Sequence, residues 1–241
     1  MKTVDEFKEG QVLLIDKPLD WTSFQIVNKI RWNIRQKFKL KKIKVGHAGT
    51  LDPLATGLLI LCTGKFTKNI ETYQGQVKEY TGTITVGGTT PSYDLESDIN
   101  ETFEYKHITD VQIKEATAQF LGDIDQKPPM FSAIKKDGRR LYKIARKGEI
   151  VDIPFRKVRI DEFEITNIDL PNIEFRVVCS KGTYIRSLAF DFGKSLGSGA
   201  HLSALRRTKI GDFSVEDATD PFVFVNDLRG DESPKPRVKQ K

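Results

Sequence analysis

Asp52 stands in the string Gly46-His47-Ala48-Gly49-Thr50-Leu51-Asp52-Pro53-Leu54-Ala55-Thr56-Gly57, which runs directly into Leu58-Leu59-Ile60-Leu61-Cys62. Pro53 disfavours the α region for the residue before it, so the carboxylate rides on extended or turning backbone. The apolar run after it is short and flanked by glycines, which predicts a buried strand rather than a helix. A lone carboxylate held on a glycine-punctuated loop against a rigid strand is how many active sites are built. The plainer reading is an Asp-Pro turn in a glycine-rich loop, which is ordinary turn chemistry.

The elements that must position this loop follow from the rest of the pattern. Val12-Leu13-Leu14-Ile15 reads as a buried strand ending at Asp16-Lys17-Pro18, where proline stops pairing. Thr22 and Gln25 have capping-box spacing, and Ile26, Ile30 and Ile34 then recur every four residues, so a helix runs to about Arg35. Tyr80 to Gly87 alternates, with Tyr80, Ile84 and Val86 on one face, and Thr89 to Asn100 reads as a polar loop. Thr109 and Gln112 cap a second helix with Ile113, Ala116, Phe120 and Leu121 inward and Gly122 as its stop. Lys127 to Ala133 reads as extended and Arg139 to Lys147 as helical, together an insertion over about 125–152 that stands off the core. Val158 to Ile168 is strand-like, with a phase slip at Asp161-Glu162 that predicts a bulge. Ile173 to Ser180 is a further strand, and Lys181-Gly182-Thr183-Tyr184-Ile185-Arg186 opens a helix with Ile185, Leu188, Ala189, Phe192 and Leu196 inward. Strands and helices mix without strict βαβ alternation, so the expected class is α+β, a mixed, largely antiparallel sheet with flanking helices. One domain over 1–225 and a charged, disordered tail over 226–241 are expected.

With 241 residues and 38% apolar content, the chain can bury a real core. No apolar run approaches the ~20 residues of a membrane helix, and the N-terminus lacks the apolar centre of a signal peptide. Cys62 and Cys179 lie inside apolar runs, which reads as reduced, buried thiols in a cytoplasmic protein. His47, His107 and His201 are scattered, no Cys or His pair has ligand spacing, and no metal is expected. The net charge of +6 is unevenly spread. Trp21 to Leu51 holds no acidic residue against Lys29, Arg31, Arg35, Lys37, Lys39, Lys41, Lys42 and Lys44. A second block, Lys127 to Lys147, has only Asp137 against eight basic residues. One such run is usually a solvated face, whereas two in one chain favour a polyanion, nucleic acid being the commonest. Gly64-Lys65 is not a phosphate loop, because Leu59 and Phe66 hold required positions, and Gly46-His47-Ala48-Gly49 is too short to mark a KH domain.

Four separated stretches, in order, resemble the bacterial TruB-type tRNA pseudouridine synthases. They are Leu14 to Pro18, the Asp52 loop, Pro128 to Ala145, and Cys179 to Arg186 continuing through Arg207. The resemblance implies a cofactor-free isomerisation of one T-loop uridine, position 55 of tRNA, to its C-linked isomer. It implies that Asp52 is the catalytic aspartate, as nucleophile or base, and that Arg186 pairs with it. It implies that Tyr80 stacks on the target base, that Tyr184 and Leu205 line the uridine pocket, and that His47 wedges into the RNA. Lys17, with Pro18, would brace the active-site loop. The partner implied is the tRNA T stem-loop, the insertion would be an RNA clamp, and the protein would act as a monomer. Many relatives carry a C-terminal PUA domain; here only a short tail follows the last shared helix, so none is expected. The alternatives are a non-catalytic tRNA-binding or tRNA-folding protein and a pseudouridine synthase acting on ribosomal RNA. Without the family, Tyr80, Tyr184 and Leu205 would read as packing residues, His47 as a turn histidine and Arg186 as a surface arginine.

Overall fold

A computed structural model describes residues 2–132, 134–136, 138–149 and 151–230. The chain divides into two units, Met1–Gln76 with Arg207–Lys241, and Val77–Arg206. The first begins with helix α1 (Val4–Glu9), strand β1 (Val12–Lys17) and helix α2 (Ser23–Lys37). The Thr22 hydroxyl accepts the Gln25 N–H at 3.1 Å while the Gln25 side chain accepts the Thr22 N–H at 2.7 Å, so the expected capping box forms. Strand β2 (Val45–His47) pairs antiparallel with β3 (Ala55–Thr63), whose other register sets Leu14 of β1 opposite Ile60. Helix α3 (Ile70–Gly75) follows.

Strand β3 is apolar from Leu58 to Cys62 because both its faces are covered there. Leu59 and Leu61 pack with Ile26, Ile30 and Ile34 of α2, while Leu58, Ile60 and Cys62 pack with Ala48, Ile210 and Val215. Both cysteines are buried free thiols, and burial pushes Cys62 up to about 11, which leaves it unreactive at neutral pH.

The second unit opens with β4 (Lys78–Val86) and the short pair β5 (Gly88–Thr89) and β6 (Glu101–Thr102). Then come α4 (Asp110–Ala116), β7 (Gly122–Gln126), the pair β8 (Lys135–Lys136) and β9 (Arg139–Arg140), and α5 (Leu141–Ala145). It continues with β10 (Arg156–Asp169), β11 (Asn172–Cys179), α6 (Ile185–Ser195) and most of β12 (Ala200–Ile210). Strands lie in the order β12–β4–β11–β10–β7, with β4, β11, β10 and β7 antiparallel to their neighbours. Phe163 is the hub of an aromatic core, its ring 5.3 Å from Phe192, 6.0 Å from Phe175 and 6.2 Å from Phe120. Past Arg206 the chain is back in the first unit, where β13 (Phe213–Ser214) pairs with the end of β12 and helix α7 (Pro221–Arg229) packs on α2. The α+β class and the largely antiparallel sheet are therefore as read from sequence.

Details differ where local pattern met tertiary packing. The slip at Asp161-Glu162 is a real bulge, between the pairs Ile160↔Cys179 and Glu162↔Val178, and a second lies between Ile165 and Asn167. Leu121 is exposed, not inward. The helix has already ended, Leu121 is extended, and alternation sends it opposite to Phe120, which fills the core. Basic residues of the insertion do find carboxylates. Lys127 meets Asp152 at 3.4 Å, Arg139 meets Glu149 at 2.9 Å, and Arg146 meets Glu96 at 2.7 Å, the last supplied from fifty residues away. The insertion also has a small core of its own in Leu141, Ile144 and Ile153. Helix α7 takes up residues 226–229 of the segment read as tail; residues 231–241, like Ala133 in the segment read as extended, lie outside the described residues. Among the described residues no helix is long and apolar enough to cross a membrane, and no group of three or more His, Cys, Asp or Glu side chains could hold a metal ion.

Candidate active site

The loop carrying Asp52 joins β2 to β3 and is pinned at several points. Ala48 N–H donates to Ile60 O at 2.9 Å, and Ser23, the first residue of α2, accepts the Leu51 N–H at 2.8 Å and donates to Leu51 O at 3.1 Å. Ala55 N–H donates to Asp52 O at 3.1 Å, closing the turn around Pro53. Below the loop lies Lys17, fully buried at 0% exposure. An ammonium has three protons, and here three carbonyls receive them: Trp21 at 2.6 Å, Pro18 at 2.9 Å and Pro53 at 3.3 Å. Burial pulls the Lys17 ammonium down to about 8, against the attraction of Asp52 and Asp20.

A second buried cation works from the other side. Arg207, 1% exposed, donates through Nε to Leu58 O at 2.8 Å and through Nη2 to Gly49 O at 3.1 Å. Gly57 makes room for it: its φ is +103°, and a Cβ there would lie 2.3 Å from Arg207 O. His47, at the end of β2, is held below its ordinary pKa by burial and by the charge of Arg207, so its imidazole is neutral at pH 7. Within the first unit, Lys17 and His47 thus both feel the charge of Arg207, and Lys17 that of Asp52 as well.

Tyr80, Tyr184, Arg186 and Leu205 belong to the second unit. Tyr80 is buried on β4 opposite Val177 of β11, and Leu205 is half-buried on β12. Tyr184 is the N-cap of α6 without a side-chain cap, and Gln126 holds its backbone, accepting the Tyr184 N–H at 2.8 Å and donating to Tyr184 O at 3.0 Å. The Tyr184 ring lies 4.5 Å beneath the Arg156 guanidinium. Arg186 is buried, not a surface helix arginine. Its fork donates to Phe131 O at 2.8 Å and Ser92 O at 3.0 Å, and its Nε lies 3.5 Å from the Asp94 carboxylate. Ser187 Oγ donates to Lys127 O at 2.8 Å, so α6 grips the root of the insertion through Gln126, Arg186 and Ser187. The turn presenting Ser92 and Asp94 is held by Tyr93 at φ +63°, a rare conformation for a bulky residue, with its ring stacked 4.2 Å from Phe190.

Residues 35–185 match the family model of the TruB family pseudouridylate synthase N-terminal domain, and residues 186–229 that of the tRNA pseudouridylate synthase B C-terminal domain. This chain belongs to the TruB family. Among its TruB relatives, the tRNA pseudouridine synthase B of Flavobacterium johnsoniae is 64% identical over 228 residues, 94% of this chain and 100% of that one. Its counterpart in Phocaeicola vulgatus is 58% identical over 90% of this chain and 93% of the relative. Of solved structures, a chain of a Cbf5-Nop10-Gar1 complex superposes with a TM-score of 0.69 at 29% identity, covering 93% of this chain and 56% of that one. A chain from an H/ACA RNP bound to a substrate RNA containing 2′-deoxyuridine gives 0.67 at 26% identity, over 93% and 55%. The chain spans little more than half the length of those two.

For this TruB chain the sequence reading passed over Asp94, Arg207, Ser23 and Gln126. Asp94 sits in the stretch read as a polar loop, and no motif singles out Ser23 or Gln126. Arg207 left one trace, an arginine pair beside apolar residues on a strand, where alternation turns one of the two inward.

Proposed function

We propose that this TruB-family chain acts on tRNA in the cytoplasm, as a monomer, and converts the T-loop uridine at position 55 to pseudouridine. In that reaction the N1–C1′ bond breaks, uracil turns, and C5 bonds to C1′. The proton on C5 leaves and N1 gains one, so composition is unchanged and the balance calls for no redox partner. Cationic character at C1′ calls for a carboxylate beside the sugar, as in glycosidases, and Asp52 takes that role as nucleophile or base. The observation that carries the reading is the way the Asp52 loop is built. Two buried cations, Lys17 and Arg207, and the hydroxyl of Ser23 hold its backbone through the carbonyls of Gly49, Leu51, Pro53 and Leu58, giving one fixed carboxylate rather than a mobile turn.

The target base is stacked in its loop and must be turned out before C1′ can be reached. Tyr80 supplies the stacking face, Tyr184 and Leu205 the pocket walls, and His47, neutral and therefore cheap to bury, fills the space the base leaves. Arg186 holds the catalytic carboxylate ionised, and the insertion clamps the RNA backbone. The deciding experiment is Asp52→Asn, nearly isosteric but unable to act as nucleophile or base. Tritium release from C5-labelled tRNA should vanish while tRNA affinity stays within about threefold, because phosphate contacts dominate binding. More than trace activity in a verified variant would remove Asp52 from the chemistry.

A further inference from the structure

From Trp21 to Ile70 the only carboxylate is Asp52. Inside that span, the segment following α2 has an unusual construction. Phe38, Leu40, Ile43 and Val45 pack onto the core shared by α2 and β3, while Lys37, Lys39, Lys41, Lys42 and Lys44 are all exposed. The lysines are carried on anchored backbone. Leu40 N–H donates to Arg35 O at 2.9 Å, and Gly64 N–H donates to Lys44 O at 2.9 Å, tying both ends of the segment. Lys37 donates to Arg229 O at 3.1 Å, and Lys39, Lys41, Lys42 and Lys44 form no ion pair among the described residues. The insertion, the other basic block, answers three of its cations with carboxylates.

Lys39 adds an independent sign. Its φ of +49° is the left-handed conformation of the residue just past a helix, closed by Leu40 N–H to Arg35 O and Lys39 N–H to Gln36 O. Glycine takes that place without strain, whereas a lysine there is strained. A solvated charge run has no need of rigid anchoring, or of a lysine where glycine fits better. Close like charges also repel unless a polyanion lies across them. Lys44 precedes His47 by three residues, about 10 Å of strand, so whatever covers the ridge lies beside the RNA that meets the Asp52 loop.

We infer that the ridge Lys39–Lys41–Lys42–Lys44 is a second RNA-binding surface, gripping backbone phosphates of the substrate RNA next to the target loop, independent of base sequence. The inference rests on the reading of RNA as substrate and goes beyond it in assigning a surface distinct from the insertion. The test is the quadruple variant K39Q/K41Q/K42Q/K44Q beside the unaltered chain, with tRNA binding measured from low to high salt and full kinetics on the same tRNA. Each neutralised phosphate contributes about 0.7–0.9 to the slope of log affinity against log salt, so the slope should fall by about 3. KM should rise at least about tenfold with kcat unchanged, since uniform binding is lost and the chemistry is untouched. Lys39→Gly separates a binding role from a structural one: it should raise the melting temperature by removing strain, and still weaken tRNA binding. An unchanged slope and KM in the quadruple variant, or a Lys39→Gly protein that is more stable and binds tRNA as before, would overturn the ridge. Failure of the unaltered chain to isomerise tRNA counts against the substrate reading alone, because the binding slope is measured without turnover.

Discussion

At the scale of single residues, Lys17 ties a pH dependence to the geometry of the loop. Three carbonyls are served by three ammonium protons, and the neutral amine has only two to give. Its folded pKa, about 8, lies below its ordinary value of 10.5. The sign follows: between these values the unfolded chain binds more protons, so the cost of burying the charge is full below about 8 and relieved as pH approaches 10.5. The stability contribution of Lys17 therefore rises with pH, while the brace on Pro53 weakens over the same window. We expect kcat to fall as pH climbs through about 8 with no matching loss of melting temperature. A flat kcat profile up to pH ~10 would mean the loop does not depend on the third donor.

Arg186 makes the complementary point about shape. Its planar fork reaches two carbonyls on different segments and the buried Asp94 at once, which a flexible point charge cannot do. Arg186→Lys should lower kcat at least about a hundredfold, a misplacement of catalytic groups rather than a loss of charge. Melting curves recorded alongside separate that effect from unfolding, and near-normal turnover would place Arg186 outside the site.

At the scale of elements, β3 is the rigid part on which the site depends. It has cores on both faces and a glycine where Arg207 passes. Gly57→Ala would force a Cβ into Arg207 O at a φ of +103°, two faults at one position. The expected cost is at least about 2 kcal/mol of stability, read as a lower denaturation midpoint, with activity lost along with it. A variant of wild-type stability would show that β12 can shift away from β3 at little cost. The insertion behaves differently. Its ion pairs are formed by largely exposed side chains, and such pairs contribute only about 0–1 kcal/mol each. RNA phosphates can exchange with those carboxylates, so the pairing found here is compatible with a clamp even though the sequence offered no obvious acidic partners.

At the scale of the molecule, the proposed function asks one RNA loop to meet both the catalytic carboxylate and the lysine ridge. His47 and Asp52 lie on one hairpin, and the lysine ridge leads into it. An isolated T-arm hairpin should therefore be isomerised with a kcat/KM within about tenfold of full tRNA, or ~1.4 kcal/mol of transition-state stabilisation. Kinetics on the two RNAs side by side decide this. A thousandfold deficit for the hairpin would mean that binding energy comes chiefly from tRNA regions far from the target.

What the sequence determined by itself was whatever rests on neighbours along the chain. The Thr22–Gln25 cap, the four-residue period of Ile26, Ile30 and Ile34, and the alternation through Tyr80 are set by local geometry, as is the bulge at Asp161-Glu162. The loop around Asp52 was legible because its string is long, and the residues around it were assigned through that resemblance. Tertiary structure alone decided which polar groups are buried and what they hold. Asp94 meets Arg186 from ninety-two positions away, and Arg207 closes on Gly49 across a still longer gap. Nothing in local composition encodes such a meeting. A buried charge is tolerated only when distant backbone arrives with matching donors or acceptors, and that is settled when the chain packs.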